Sequence, residues 1–161
     1  MTPRRARAPR GQRACGAVPR NRGGNTTLIA ALTPAGRGPA MTRAGAADGP
    51  AFVAYVRAFL APALLPGQIV VLDNLAVHKG AAIRRLIAAR GCRLRFLPPY
   101  SPDFAPIAHA FSKVKEHLRR AGARTREALD AAIATALDAI TAQDAAGWFR
   151  HCGYPLSGQS L

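Results

Sequence analysis

Acidic residues are scarce in this chain, and none precedes Asp48. Eight Asp and Glu stand against 23 Lys and Arg, a formal net charge of +15 at pH 7. A surplus of that size disfavours cationic partners and points to a polyanion, most simply nucleic acid. Lysine is scarce too: Lys79, Lys113 and Lys115 are the only three. A composition dominated by Ala, Arg, Gly and Pro is also what a GC-rich genome produces. The three cysteines, Cys15, Cys92 and Cys152, are odd in number, far apart and never spaced C-x-x-C. That argues against a disulfide framework and a zinc site and points to a cytoplasmic location. No apolar run approaches a membrane span, and the start lacks the hydrophobic core of a secretion signal.

Almost half of the 161 residues are apolar, which suits one folded domain with a real core and not a disordered chain. No internal repeat is visible. The stretch Ile69 to Phe111 organises the rest. Ile69-Val70-Val71-Leu72 is short, apolar and β-branched, follows Pro66-Gly67 and ends on Asp73, so it reads as a buried strand. Ala81 to Ala89 has helical spacing, with Gly91 as its stop. Leu94 to Leu97 reads as a second strand. Strand, helix, strand over this length is a βαβ unit, which makes a parallel pair. In open α/β sheets chemistry gathers at the carboxyl ends of strands. Asp73 sits at one such end, and the loop Pro98-Pro99-Tyr100-Ser101-Pro102-Asp103 at the other.

The segments VVLDNLAVHKG and LRFLPPYSPDFAPIAHAFSKVK resemble the catalytic core of mariner-like bacterial insertion-sequence transposases of the DDE group. The resemblance runs from about Arg7 to Tyr154. Asp73 and Asn74 match the family's Asp-Asn, and Pro98 to Asp103, Pro106 and Ile107 match its PPYSPDxNPIE motif. The motif's Asn is Ala105 here, and its last catalytic Glu is Ala108. The resemblance implies an α/β fold: a ribonuclease-H-like mixed sheet with flanking helices. The family's first Asp lies on a central strand upstream of the resembled segment, and that strand is expected to be missing. The implied cofactor is Mg²⁺ or Mn²⁺, used as a pair of ions held by three carboxylates, because such hard cations take oxygen ligands. Here Asp73 is the one matched ligand.

Asp103 is the best stand-in metal ligand, with a role in the turn or as a cap as its alternative. Glu116 lies eight residues past Ala108, about 12 Å along a helix, too far for the same ion. His109 is a poor ligand for Mg²⁺ because nitrogen suits softer metals. His78 is placed to touch DNA or orient a water, or is simply a polar loop residue.

In chain order, residues 1–13 form a basic arm, 14–155 the truncated catalytic-type domain and 156–161 a tail. Arg4, Arg5, Arg7 and Arg10 of the arm are candidate DNA-backbone contacts. Ala14 to Val18 and Thr26 to Thr33 are read as an antiparallel hairpin with Arg20 and Arg22 at its tip, also candidate contacts. Pro34 to Pro50 reads as loop, with a short strand near Ala40-Met41 as its alternative. Asp48 caps a helix whose apolar face is Phe52, Val53, Val56, Phe59 and Leu60. A helix from Pro106 to Arg120 buries Ile107, Phe111, Val114 and Leu118 and carries Lys113 and Lys115, either a solvated face or phosphate contacts alongside Asn74, His78 and Lys79. Thr125 caps the next helix, with Leu129, Ile133, Leu137 and Ile140 inward. Thr141 and Asp144 form a capping box for the last, whose Trp148 is a core anchor or, failing that, a base-stacking platform. The functional expectation is a DNA-binding, catalytically inactive remnant. Its alternative is an active endonuclease subunit completed by another polypeptide. Partners are DNA and full-length transposase or a partner chain, with no membrane.

Overall fold

The computed structural model describes residues 7–13, 24–99 and 101–156. Two strands open it, β1 (Thr26–Thr33) and β2 (Gly36–Ala44), paired antiparallel. The hairpin therefore pairs the expected strand Thr26–Thr33 with the stretch read as loop, where the short strand near Ala40-Met41 extends over Gly36–Ala44. The expected strand Ala14 to Val18 and the tip with Arg20 and Arg22 lie outside the described residues. Composition hides β2, because GRGPAMTRA is poor in strand formers. Its Gly-Pro pair falls at a register shift between Ala30 and Leu32, where a missing N–H costs no ladder bond. Gly38 keeps that approach open, since a Cβ would lie 3.0 Å from that of Ala31, tighter than an ordinary contact. The Tyr55 hydroxyl donates to the Pro39 carbonyl at 2.8 Å and so ties the bulge to the next helix.

That helix, α1 (Gly49–Tyr55), runs through a π-helical turn, Val56–Leu60, into α2 (Ala61–Ala63). The Asp48 carboxylate accepts from the Ala51 N–H at 2.8 Å, as its position predicts. The π turn inserts a residue and changes the helical phase. Phe59, expected inside, is 42% exposed in consequence. Strand β3 (Ile69–Leu72) pairs in parallel with β4 (Arg93–Phe96), and α3 (Ala81–Ala88) connects them. Strand β4 starts one residue earlier than its apolar pattern suggests. Gly91, at φ +68°, turns the chain tightly enough for the Arg93 N–H to reach the Gln68 carbonyl at 2.9 Å.

Three helices complete the chain: α4 (Pro106–Ala121), α5 (Arg126–Asp138) and α6 (Ala142–His151). Thr125 caps α5 through the Ala128 N–H, and Thr141 with Asp144 closes the capping box of α6. The core has two parts. Phe52, Tyr55, Val56, Leu60, Ile83 and Ile87 gather in the first, against Val70, Leu72 and Leu94. Ala110, Val114, Leu118, Ile133, Ala136 and Leu137 make the second, with Trp148 packed against it. Strand β1 serves both: Ile29 and Ala31 face the first part, Leu28 and Leu32 the second. The fold is thus mixed α/β, with short sheets and flanking helices. Among the described residues β1 bonds only to β2, and β3 only to β4. The expectation that β3 is buried fails for alternate residues: Ile69 is 51% and Val71 39% exposed, because helices cover one face of the pair alone.

A candidate carboxylate site at the end of the parallel strands

Parallel pairing sends the chain out of β3 and β4 on the same side. The Leu97 N–H donates to the Leu72 carbonyl at 2.8 Å, so the two exit loops start side by side. Asp73 is the first residue of one loop. Its Oδ1 accepts from the Leu75 N–H at 3.1 Å, an Asx turn that fixes the carboxylate against its own loop. The same oxygen lies 2.5 Å from Nδ1 of His78, which ends a 3₁₀ turn, Ala76–His78. A bond there requires the proton on Nδ1. The imidazole packs on Phe52 of α1, ring centres 4.1 Å apart, and is only 16% exposed, whereas Asp73 is 52% exposed. His78 thus anchors the carboxylate to the first core. Asn74 is half-buried beside Asp73, and Lys79 is exposed just beyond the turn.

The second exit loop follows β4. Tyr100 lies outside the described residues. The Ser101 hydroxyl donates to the Pro99 carbonyl at 3.2 Å, and Pro102–Phe104 form a 3₁₀ turn. The Phe104 carbonyl accepts from the Tyr154 hydroxyl at 2.8 Å, which ties the loop to the segment after α6. Asp103 stands near Cys152: burial first, then the Asp103 charge, pushes that thiol above its ordinary range. The N-cap of α4 is Ala105, which makes no side-chain capping bond. Ala108 lies exposed in the first turn of α4, its N–H donating to the Ala105 carbonyl at 2.9 Å. His109 packs between Trp148 and His151, at 6.4 and 5.1 Å between ring centres.

Of the sequence-derived nucleic-acid contacts, Arg7, Arg10, Lys79 and Lys115 are exposed, and Arg4, Arg5, Arg20 and Arg22 lie outside the described residues. Lys113 is placed otherwise than a phosphate contact would be. Its ammonium turns inward, donating to the Ala139 carbonyl at 2.8 Å and to the Asp144 carboxylate at 2.6 Å. Lys113, then the Thr141 N–H and hydroxyl, hold the Asp144 carboxyl down at about 2. Sequence reasoning missed this clamp because its partners lie 26 and 31 residues away.

A pair of hard divalent cations needs several oxygen ligands converging. Among the described residues no three His, Cys, Asp or Glu come together in a way that could hold a metal ion. Asp73 offers one carboxylate with one oxygen already engaged, and Ala108 offers a methyl group. The donors described do not fit a two-metal centre.

A protein-family model for DDE superfamily endonucleases matches residues 1–130. No curated protein matches the chain. Among solved structures, the Mos1 strand transfer complex superposes with a TM-score of 0.68 at 18% identity, covering 92% of this chain and 45% of that one. The Mos1 transposase paired-end complex with left transposon end gives 0.65 at 19%, over 92% and 46%. The Mos1 mariner paired-end complex with Mn gives 0.65 at 19%, over 91% and 46%. At these identities the likeness is one of fold, that of the Mos1 transposase. The chain spans less than half the length of the structures it matches.

Proposed function

The chain belongs to the DDE superfamily of endonucleases, and on that premise we propose that it is a transposase-type domain that holds DNA but does not itself cut it. One observation carries the second half of that reading. At the end of β3 a single carboxylate, Asp73, is bound to His78 and Leu75, and the position of the family's last Glu holds Ala108. Mg²⁺ or Mn²⁺, when bound in such a family, activates the attacking oxygen and stabilises the leaving one. Asp73 alone would hold such an ion weakly. The DNA-holding half rests on the +15 charge and on exposed cations at Arg7, Arg10, Lys79 and Lys115.

The test is nicking of supercoiled plasmid in Mn²⁺. The unaltered chain and Ala108→Glu should both stay at the background set by Asp73→Ala. Losing one positioned stabiliser commonly costs about 10²–10³ in rate, and Ala108→Glu restores one ligand only. Cleavage by the unaltered chain that vanishes in Asp73→Ala would refute the proposal.

A second reading has its own support. Strands β1 and β3 each carry one unpaired edge among the described residues, and Ile69 and Val71 stand uncovered beside it. Another polypeptide, a full-length transposase or a partner chain, could pair there and complete an active subunit. Nicking that appears only when full-length family transposase bearing its own inactivating Asp substitution is added would favour this reading.

A further inference from the structure

Charge is spread unevenly along the described chain. Residues 49–102 contain seven Lys and Arg against one acid, Asp73, whereas residues 103–156 contain seven against six. The ion pairs follow that division. Arg37, Arg43, Lys113, Arg120 and Arg126 each lie 2.5 to 2.8 Å from a carboxylate, and all lie outside 49–102. Asp73 is taken by His78. Among the described residues, no Lys or Arg of 49–102 is paired with a carboxylate. Two of those cations have other contacts: Arg84 lies over the Phe96 ring at 5.1 Å, and Arg90 donates to the Leu64 carbonyl.

Arg57, on the π turn, and Arg85, on α3, line one open cleft of about 270 Å³ with Ala82, Leu86 and Ala89. Both arginines are exposed. The small alanines leave room for close approach, and the guanidinium forks suit phosphate oxygens. Helix α3 covers the inner face of β3 and β4 with Ile83 and Ile87, so the cleft lies on the helix-covered side of the pair.

We propose that this cleft is a second nucleic-acid contact, in which Arg57 and Arg85 hold backbone phosphates of a DNA duplex. The inference rests on the reading that the chain contacts DNA, and it assigns a surface that neither the basic arm nor the Asp73 loop includes. Recognition is of phosphodiester charge, so it is indifferent to sequence.

Fluorescence anisotropy with short labelled duplexes of unrelated sequence, over a salt series, tests it. Each phosphate contact contributes about 0.9 to the slope of log K against log salt. Arg57→Ala/Arg85→Ala should reduce that slope by about 2 for every sequence, while Arg57→Lys/Arg85→Lys keeps most of it. Arg120→Ala/Arg126→Ala, which removes two paired cations, should leave the slope unchanged. If the alanine pair fails to fold, Arg57→Gln, which keeps the packing stem, should lower the slope by about 1. Binding by the unaltered chain with an unchanged slope in the alanine pair overturns this inference and leaves the DNA reading standing. Equal losses in both alanine pairs also overturn it, since the charge would then act diffusely. No binding of any duplex at low salt overturns both.

Discussion

The two strand pairs differ in what lies on their faces. The β1–β2 hairpin stands between the two parts of the core, and its successive residues Leu28 and Ile29 reach one part each. The β3–β4 pair uses only one face: Val70, Leu72 and Leu94 meet α1 and α3, while Ile69 and Val71 remain open beside Arg93 and Arg95. Yet β3 is by far the more apolar strand and β2 among the least. Composition reports what a strand could bury. Neighbouring elements decide what it does bury.

If that is right, stability should follow the covered faces and not the strands. Among truncations to alanine, the largest effect is expected at the helix over the inner face of the parallel pair. Ile87 is fully buried, so Ile87→Ala should cost about 3 kcal/mol in urea unfolding. A cost under about 1 kcal/mol would mean that α3 does not cover the parallel pair tightly. On the hairpin, Ile29→Ala should cost about 2 kcal/mol, less because Ile29 lies at the margin of its cluster.

Much of this is legible in the sequence, and the misses have two causes, a local change of helical phase and partners far along the chain. Asp48, Thr125, Thr141 and Asp144 announce their caps because capping is local chemistry within three residues. Asp73 is legible as the end of a short β-branched run. Strand β2 shows in the sequence only as a short stretch near Ala40-Met41, because Gly36, Gly38 and Pro39 hide the rest, and Phe59 is misplaced because one π turn changes the phase. Lys113 read as a surface cation until the fold brought Asp144 to it across 31 residues. Asp103 likewise shows its neighbour, Cys152, only in three dimensions. Caps and the βαβ unit can be read along the chain, whereas a π turn and distant side-chain partners such as Asp144 cannot.

The Lys113 clamp gives the comparison a pH dimension, because it braces the well-covered side of the molecule. The Asp144 carboxyl is held at about 2, below its ordinary 3.8. A depressed folded value contributes stability that is present above the unfolded value and lost as pH falls from about 4 through about 2. The pair is partly exposed, so solvent screening reduces the contribution to about 1 kcal/mol. Lys113→Met should therefore lower stability by about that amount at pH 7, and the difference from the unaltered chain should shrink towards pH 2. Urea unfolding at several pH values checks this. A difference that stays constant down to pH 2 would place the cost in packing, not in the ion pair.

The smallest expected effect is the most direct test. Ile69→Lys and Val71→Lys put a charge on the open face of β3, where each side chain already meets water. Surface substitutions of this kind usually change stability by no more than about 0.5 kcal/mol. Aggregation should fall, since charge on an exposed apolar strand beside a free edge discourages pairing with another chain. The same substitution at Ile29, on the hairpin, should prevent folding, because an unpaired ammonium would then be buried. The melting temperatures of the three variants decide the matter. If Ile69→Lys and Val71→Lys unfold the chain as Ile29→Lys does, the outer face of the parallel pair is covered in solution. The exposed apolar pair would then belong to an interface, and the reading in which another polypeptide completes the sheet would gain what Asp73 alone cannot give it.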